Sequence, residues 1–170
     1  MNKATVLKEI IEQRRSIFPK DYTDTEISQE VIDEILHSAT LAPNHKRTKP
    51  WRFKIFKGEE KAILASEMQA IYKASQPEQL FLEKKYNDIG FKINKANVVI
   101  SIVVNFSGMV PEWEEIAATS MAVQNMYLSC TANNIGCYWS SPSIVNALKE
   151  SLKIEENQKC LGLFYMGRLD

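Results

Sequence analysis

Residues 112 to 133, EWEEIAATSMAVQNMYLSCTAN, constrain the fold more than any other stretch of the chain. At 3.6 residues per turn they make a helix of about six turns. Trp113, Ile116, Ala117, Ala118, Met121, Ala122, Val123, Met126, Tyr127 and Leu128 are distributed around nearly all of its circumference. A helix apolar on every side needs cover on every side, because exposing that much apolar surface invites association. The cover must come from the rest of the domain or from a second subunit, and a dimer is the economical expectation.

Periodicity places the other elements. Val6, Leu7, Ile10 and Ile11 share one face of a helix over 3 to 13 that ends near Arg14. A second helix starts after Ser28, carries Val31, Ile32, Ile35, Leu36 and Ala39 inward, and is stopped by Pro43. WRFKIF at 51 to 56 alternates as a half-buried strand does, and NVVISIVVN at 97 to 105 is an unbroken β-branched run suited to a central strand. Helices are predicted over 59 to 75 and around 80 to 93. After the long helix, Asn134 and Gly136 form a stop, and IGCYWSSP leads to a helix capped by Ser141 with Pro142 in its first turn. CLGLFYMG at 160 to 167 is the last strand. No linker or repeat divides the chain, so residues 1 to 170 are expected to form one domain, a length that suits a single core.

Twenty-one Lys and Arg balance 21 Asp and Glu, which leaves no global field to recruit nucleic acid or a membrane. The N-terminal stretch lacks the hydrophobic region of a signal peptide and no run has the length of a membrane span, so the expected location is cytoplasmic. Cys130, Cys137 and Cys160 show no CxxC spacing and sit in apolar surroundings, as reduced core residues do. There is no G-x-G-x-x-G, P-loop, nucleophile elbow or H-E-x-x-H, and two histidines cannot furnish a histidine-rich metal site. No catalytic acid, base or nucleophile and no metal ligand is therefore assigned. Chemistry that survives such a lack is performed by a bound cofactor.

Two cationic groups remain. Arg14, Arg15 and Ser16 stand where the first helix gives way to a loop, offering forked donors and a hydroxyl that match phosphate oxygens. Taken alone they are better explained as cations favoured by the negative end of a helix. Asn44, His45, Lys46, Arg47, Lys49 and Arg52 crowd a loop stiffened by Pro43 and Pro50, where a side chain can be held for recognition.

In order and spacing, RRS after the first helix, APNHKRTKPWRF after the second, and VPEWEEIAATSMAVQNMYLSCTANNIGCYWSS as the long helix and its exit resemble the FMN-dependent nitroreductase family. The likeness is greatest to its minimal-length, YdjA-like branch of NAD(P)H nitroreductases and covers most of the chain. The resemblance implies an α+β fold with a mixed, mostly antiparallel central sheet flanked by helices, assembled as an intertwined homodimer with FMN at the interface. By position it implies that Arg14, Arg15 and Ser16 hold the FMN phosphate and ribityl chain. Leu41, Asn44 and His45 reach the same flavin from one subunit, and Tyr138, Trp139 and Ser140 from the other. NAD(P)H is the implied reductant and a small electrophile, such as a nitroaromatic, quinone or enal, the implied acceptor. The alternative on the same fold is a flavin- or nucleotide-binding sensor or partner protein without turnover.

The chain also departs from that pattern. Many members carry a lysine two residues after the serine, where this chain has Phe18. Lys46, Lys49 or backbone N–H groups are then expected to stabilise the reduced flavin. Many members also extend beyond the last strand with an arginine for the phosphate, for which Arg168 is the expected substitute.

Overall fold

The structure, a computed structural model, describes residues 2–170, with Lys149 and Glu150 described by their backbone alone. Helices α1 (Lys3–Gln13), α2 (Gln29–Thr40), α3 (Gly58–Ser75), α4 (Glu83–Lys95), α5 (Glu112–Ala132) and α6 (Lys149–Leu152) surround strands β1 (Trp51–Phe56), β2 (Val98–Asn105), β3 (Ile135–Ser140) and β4 (Gln158–Arg168). The sheet order is β1-β2-β4-β3 and all three pairings are antiparallel. Among the described residues no helix is long and apolar enough to cross a membrane.

β2 is central because both of its faces are apolar. Val98, Ile100 and Ile102 pack with Ile32, Ile35 and Ala39 of α2 and with Ala118, Ala122, Val123 and Met126 of α5. Val99 and Val103 face the other way, toward Leu64, Ala65 and Met68 of α3 and Ile93 of α4. The result is three layers, with the sheet between two helical layers. Each fully buried aliphatic side chain contributes about 1.5–3 kcal/mol, so Ile32 and Ile35 alone hold α2 firmly to the sheet.

α5 buries one face and leaves the other open. Trp113 is 67% and Met121 40% exposed. Beside it α1 has no buried residue at all, and its Leu7 and Ile11 are about half exposed. The apolar circumference that the sequence demanded be covered is thus covered on one side only within a protomer.

Two expectations need correction. The chain reverses after α5 at Asn134, whose φ of 53° is one that asparagine tolerates, and not at Gly136, which lies inside β3. The predicted helix capped by Ser141 is instead a 3-10 turn, Ser143–Ala147, preceded by Pro142 in extended conformation and followed by the short α6. The segment before it, 135–140, satisfies its backbone groups on the free edge of β4 as a fourth strand, and proline, with no N–H to donate, marks its end.

Gly136 and Gly167 are cross-strand neighbours because Tyr22 lies across them. A Cβ on Gly136 would sit 2.7 Å from the Tyr22 ring, and one on Gly167 would drive into it. The Tyr22 hydroxyl donates to the Ile17 carbonyl at 2.7 Å, and the Ile17 amide donates to Cys137 O at 2.9 Å. The segment following α1 is thereby fastened along the edge of β3.

Candidate functional site

That fastening decides where the first cationic group points. The Arg14 guanidinium lies 5.5 Å above the Tyr127 ring, within cation–π reach. The Tyr127 hydroxyl accepts the Trp139 amide at 2.7 Å and stands 3.4 Å from Ser16 Oγ. Phe164 meets the Tyr127 ring edge-on at 5.1 Å. Arg14, Ser16 and Trp139 therefore converge on a residue that sequence periodicity had marked only as part of an apolar helix. The available signal was chemical: a phenol in an apolar helix needs a partner for its hydroxyl. Tyr127→Phe is expected to cost about 1–3 kcal/mol by leaving the Trp139 amide without an acceptor, a loss that urea unfolding measures.

Half-buried Arg14 has no carboxylate within ion-pair distance among the described residues. Nearby, Trp139 Nε1 is a buried donor with no acceptor. A half-buried cation with no carboxylate and an indole N–H with no acceptor fit an anionic, acceptor-rich ligand better than a structural role. Arg15 is engaged differently, since its Nη1 donates to the carbonyls of Glu12 at 2.6 Å and Arg14 at 2.8 Å, closing the end of α1.

β3 alternates, so its residues divide between the two faces. Trp139 packs on the α2/α5 side, whereas Tyr138 packs on the α3/α4 side. There Tyr138 stacks on Tyr165 at 4.8 Å and touches Phe18 at 4.9 Å, and with Ser140 it lines a cavity of about 250 Å³. Arg168 pairs with Ile135 at the opposite end of β3 from Ser140, about 17 Å away at 3.4 Å per residue.

The second cationic group is built by strain. Lys46, Arg47 and Lys49 have φ of 50°, 54° and 45°, a left-handed conformation that costs an L-residue about 1–2 kcal/mol. Compensating bonds hold it. Asn44 Oδ1 accepts the Lys49 amide at 2.9 Å, His45 Nδ1 lies 2.6 Å from Glu114 Oε2, and Lys46 Nζ donates to Met109 O at 3.0 Å. The loop is thus clamped to the start of α5, with Leu41 68% exposed beside it. Glu114 and Tyr127 are about 20 Å apart along α5 at 1.5 Å per residue. Within one protomer the structure brings Arg14, Ser16 and Trp139 together and holds Leu41, Asn44 and His45 at the other end of the same helix.

All three cysteines are buried and free. Burial pushes the Cys130 and Cys160 thiols up, away from nucleophilic thiolate. Among the described residues no three His, Cys, Asp or Glu side chains are grouped to hold a metal ion.

Similar proteins share both the sequence order and this architecture. The Bacillus subtilis (strain 168) protein named "Putative NAD(P)H nitroreductase YfhC" is 30% identical over 176 residues, covering 100% of this chain and 88% of that relative. The solved structure of a nitroreductase-like family protein from Bacillus cereus superposes with a TM-score of 0.80 at 25% identity, covering 100% of this chain and 89% of the other. A "putative nitroreductase in complex with fmn" from Desulfovibrio desulfuricans gives 0.73 at 25% identity, covering 99% and 87%. The sequence profile described as the Nitroreductase family matches residues 11–168. That span runs from the end of α1 to the end of β4, taking in the Arg14 cluster, the strained loop, α5 and the whole sheet, and the chain belongs to the nitroreductase family.

Proposed function

We propose that this protein is an FMN-dependent oxidoreductase that uses NAD(P)H to reduce an electrophilic acceptor of the nitroaromatic, quinone or enal class, and that it works as a homodimer. The observation that carries the reading is the half-buried, carboxylate-free Arg14 beside Ser16, Tyr127 and the unpaired Trp139 indole. The names of the Bacillus subtilis relative, an NAD(P)H nitroreductase, and of the Desulfovibrio desulfuricans structure, a complex with FMN, support it.

Arg14 and Ser16 hold the phosphate end of the coenzyme, and the Trp139 and Ser140 segment borders its ring system. Arg15 braces the Arg14 segment through the carbonyls it caps. When bound, FMN accepts a hydride from NAD(P)H and delivers two electrons to the acceptor, so the chain's own tasks are to bind, orient and exclude water. Leu41, Asn44 and His45 reach the coenzyme of the partner subunit. A twofold axis crossing the exposed faces of α5 and α1 lays one helix antiparallel on the other, bringing the strained loop at the start of one α5 toward the Arg14 cluster along the other. It also covers Trp113 and Met121.

The purified protein is expected to be yellow, to release FMN on denaturation, to bleach under NAD(P)H, and to sediment at twice the mass of the chain. A colourless monomer that cannot be reconstituted with FMN overturns the reading. Tight FMN binding with negligible NAD(P)H oxidation across varied acceptors would instead make it a flavin-binding sensor.

A further inference from the structure

The loop between Pro43 and Pro50 keeps long basic side chains where the backbone disfavours them. Lys46, Arg47 and Lys49 all hold the left-handed conformation, in which glycine and asparagine sit with little strain. A turn needed only for its shape would carry those residues. Three cations retained at such positions imply a use for the side chains themselves. Lys46, one of the cations expected to serve the reduced flavin, is spent internally, its Nζ donating to Met109 O.

Arg47 and Lys49 are not spent. Both are exposed, and neither makes an ion pair among the described residues. Glu114, the carboxylate bonded to this loop, is occupied by His45, and Arg52 donates to the carbonyls of Lys49 and Trp51. With Asn44 Oδ1 also accepting the Lys49 amide, the loop presents one guanidinium and one ammonium, two positions apart, on a backbone fixed from within. Leu41 and Met109, 68% and 57% exposed, leave apolar surface at this end of α5 on which an adenine ring can lie.

We propose that Arg47 and Lys49 together hold the adenosine 2′-phosphate of NADPH and make NADPH, not NADH, the preferred reductant. The inference rests on the reading above, in which this loop reaches the coenzyme of the partner subunit and the FMN phosphate goes to Arg14 and Ser16. The anions left to be met are those of the reductant. Each phosphate of the diphosphate shared by NADH and NADPH carries a single negative charge. The 2′-phosphate that only NADPH has is a monoester, with roughly 1.5 to 2 negative charges at pH 7. It calls for two cations, and a forked guanidinium matches its oxygens best. Because that phosphate is remote from the transferred hydride, the contact is equal in ground and transition states and acts on KM, not kcat.

The test compares NADPH with NADH as reductant of the flavin-loaded protein for wild type, Arg47→Gly, Arg47→Lys and Lys49→Gln. Calorimetric titration with adenosine 2′,5′-bisphosphate and with adenosine 5′-monophosphate reads the same recognition without turnover. Glycine relieves the backbone strain, so the urea midpoint of Arg47→Gly is expected to be no lower than that of wild type, which separates lost recognition from lost folding. Wild type is expected to show a KM for NADPH at least about tenfold below that for NADH, and Arg47→Gly to raise the NADPH value about tenfold, the worth of one charge-assisted contact. The KM for NADH and kcat with either reductant should stay close to wild type, and the bisphosphate should lose its advantage over the monophosphate. Lys49→Gln is expected to lose less in the same direction, and Arg47→Lys to recover part. A flavin-loaded wild type with equal KM for the two reductants, or an Arg47→Gly variant that raises both alike, overturns this inference and leaves the FMN reading standing. A wild type that takes up no FMN overturns both.

Discussion

Gly162→Ala is expected to destabilise the protein by about 2–6 kcal/mol, combining about 1–3 for an L-residue held at a glycine-only backbone conformation with about 1–3 for overpacking. Gly162 has φ 139° and lies at the register shift where β4 pairs with β2. A Cβ there would drive into the Ser140 carbonyl and come within 2.7 Å of Trp139 Nε1. The first of these is backbone, which cannot rotate away, so β3 must move. On the proposed function Trp139 and Ser140 border the coenzyme, so the variant is also expected to lose FMN, read as free flavin in the filtrate. A urea midpoint close to that of wild type would show that the end of β3 yields easily and does not fix the site.

Arg14→Ala is expected to weaken FMN binding by about 1.5–3 kcal/mol, the worth of a charge-assisted hydrogen bond, or more than tenfold in Kd. Stability should change little, because the guanidinium makes no ion pair among the described residues. Arg14→Lys is expected to recover only part of the affinity, since an ammonium keeps the charge and loses the fork. Arg15→Ala is the internal control. Its guanidinium is committed to two backbone carbonyls, so its loss should register in the fraying of α1 more than in Kd. Equal FMN retention by wild type and Arg14→Ala would remove Arg14 from the site.

The proposed dimer accounts for the distance that separates the two cationic groups. His45 is fixed to Glu114 at one end of α5, and Ser16 lies close to Tyr127 about 20 Å farther along. No side-chain rotation closes that gap within a protomer. A second copy laid antiparallel on the exposed face of α5 closes it and at the same time covers the apolar surface that the helix presents.

Most of the architecture was legible in the residues. The unbroken run of β2, the alternation of β1 and the helical spacing of α2 to α5 each record burial locally, because hydrophobicity at a fixed period is a property of the segment itself. The resemblance of RRS, the proline-flanked basic loop and the long helix pointed to the right family for the same reason. What was misread was the stretch after α5. Asn134, Gly136 and Pro142 are all turn formers, and only the empty edge of β4 decided that the residues between them pair as a strand.

The sequence by itself determined the central strand, the helical segments, the family and the two cationic segments, since all of these rest on residue type and local pattern. Tertiary structure alone decided that Tyr127 is the meeting point of Arg14, Ser16 and Trp139. It also decided that Tyr138 and Trp139 face opposite sides of the sheet. Ser16 and Tyr127 are 111 positions apart. Contacts of that separation are set by strand register and by how helices settle on a sheet, which no single segment encodes.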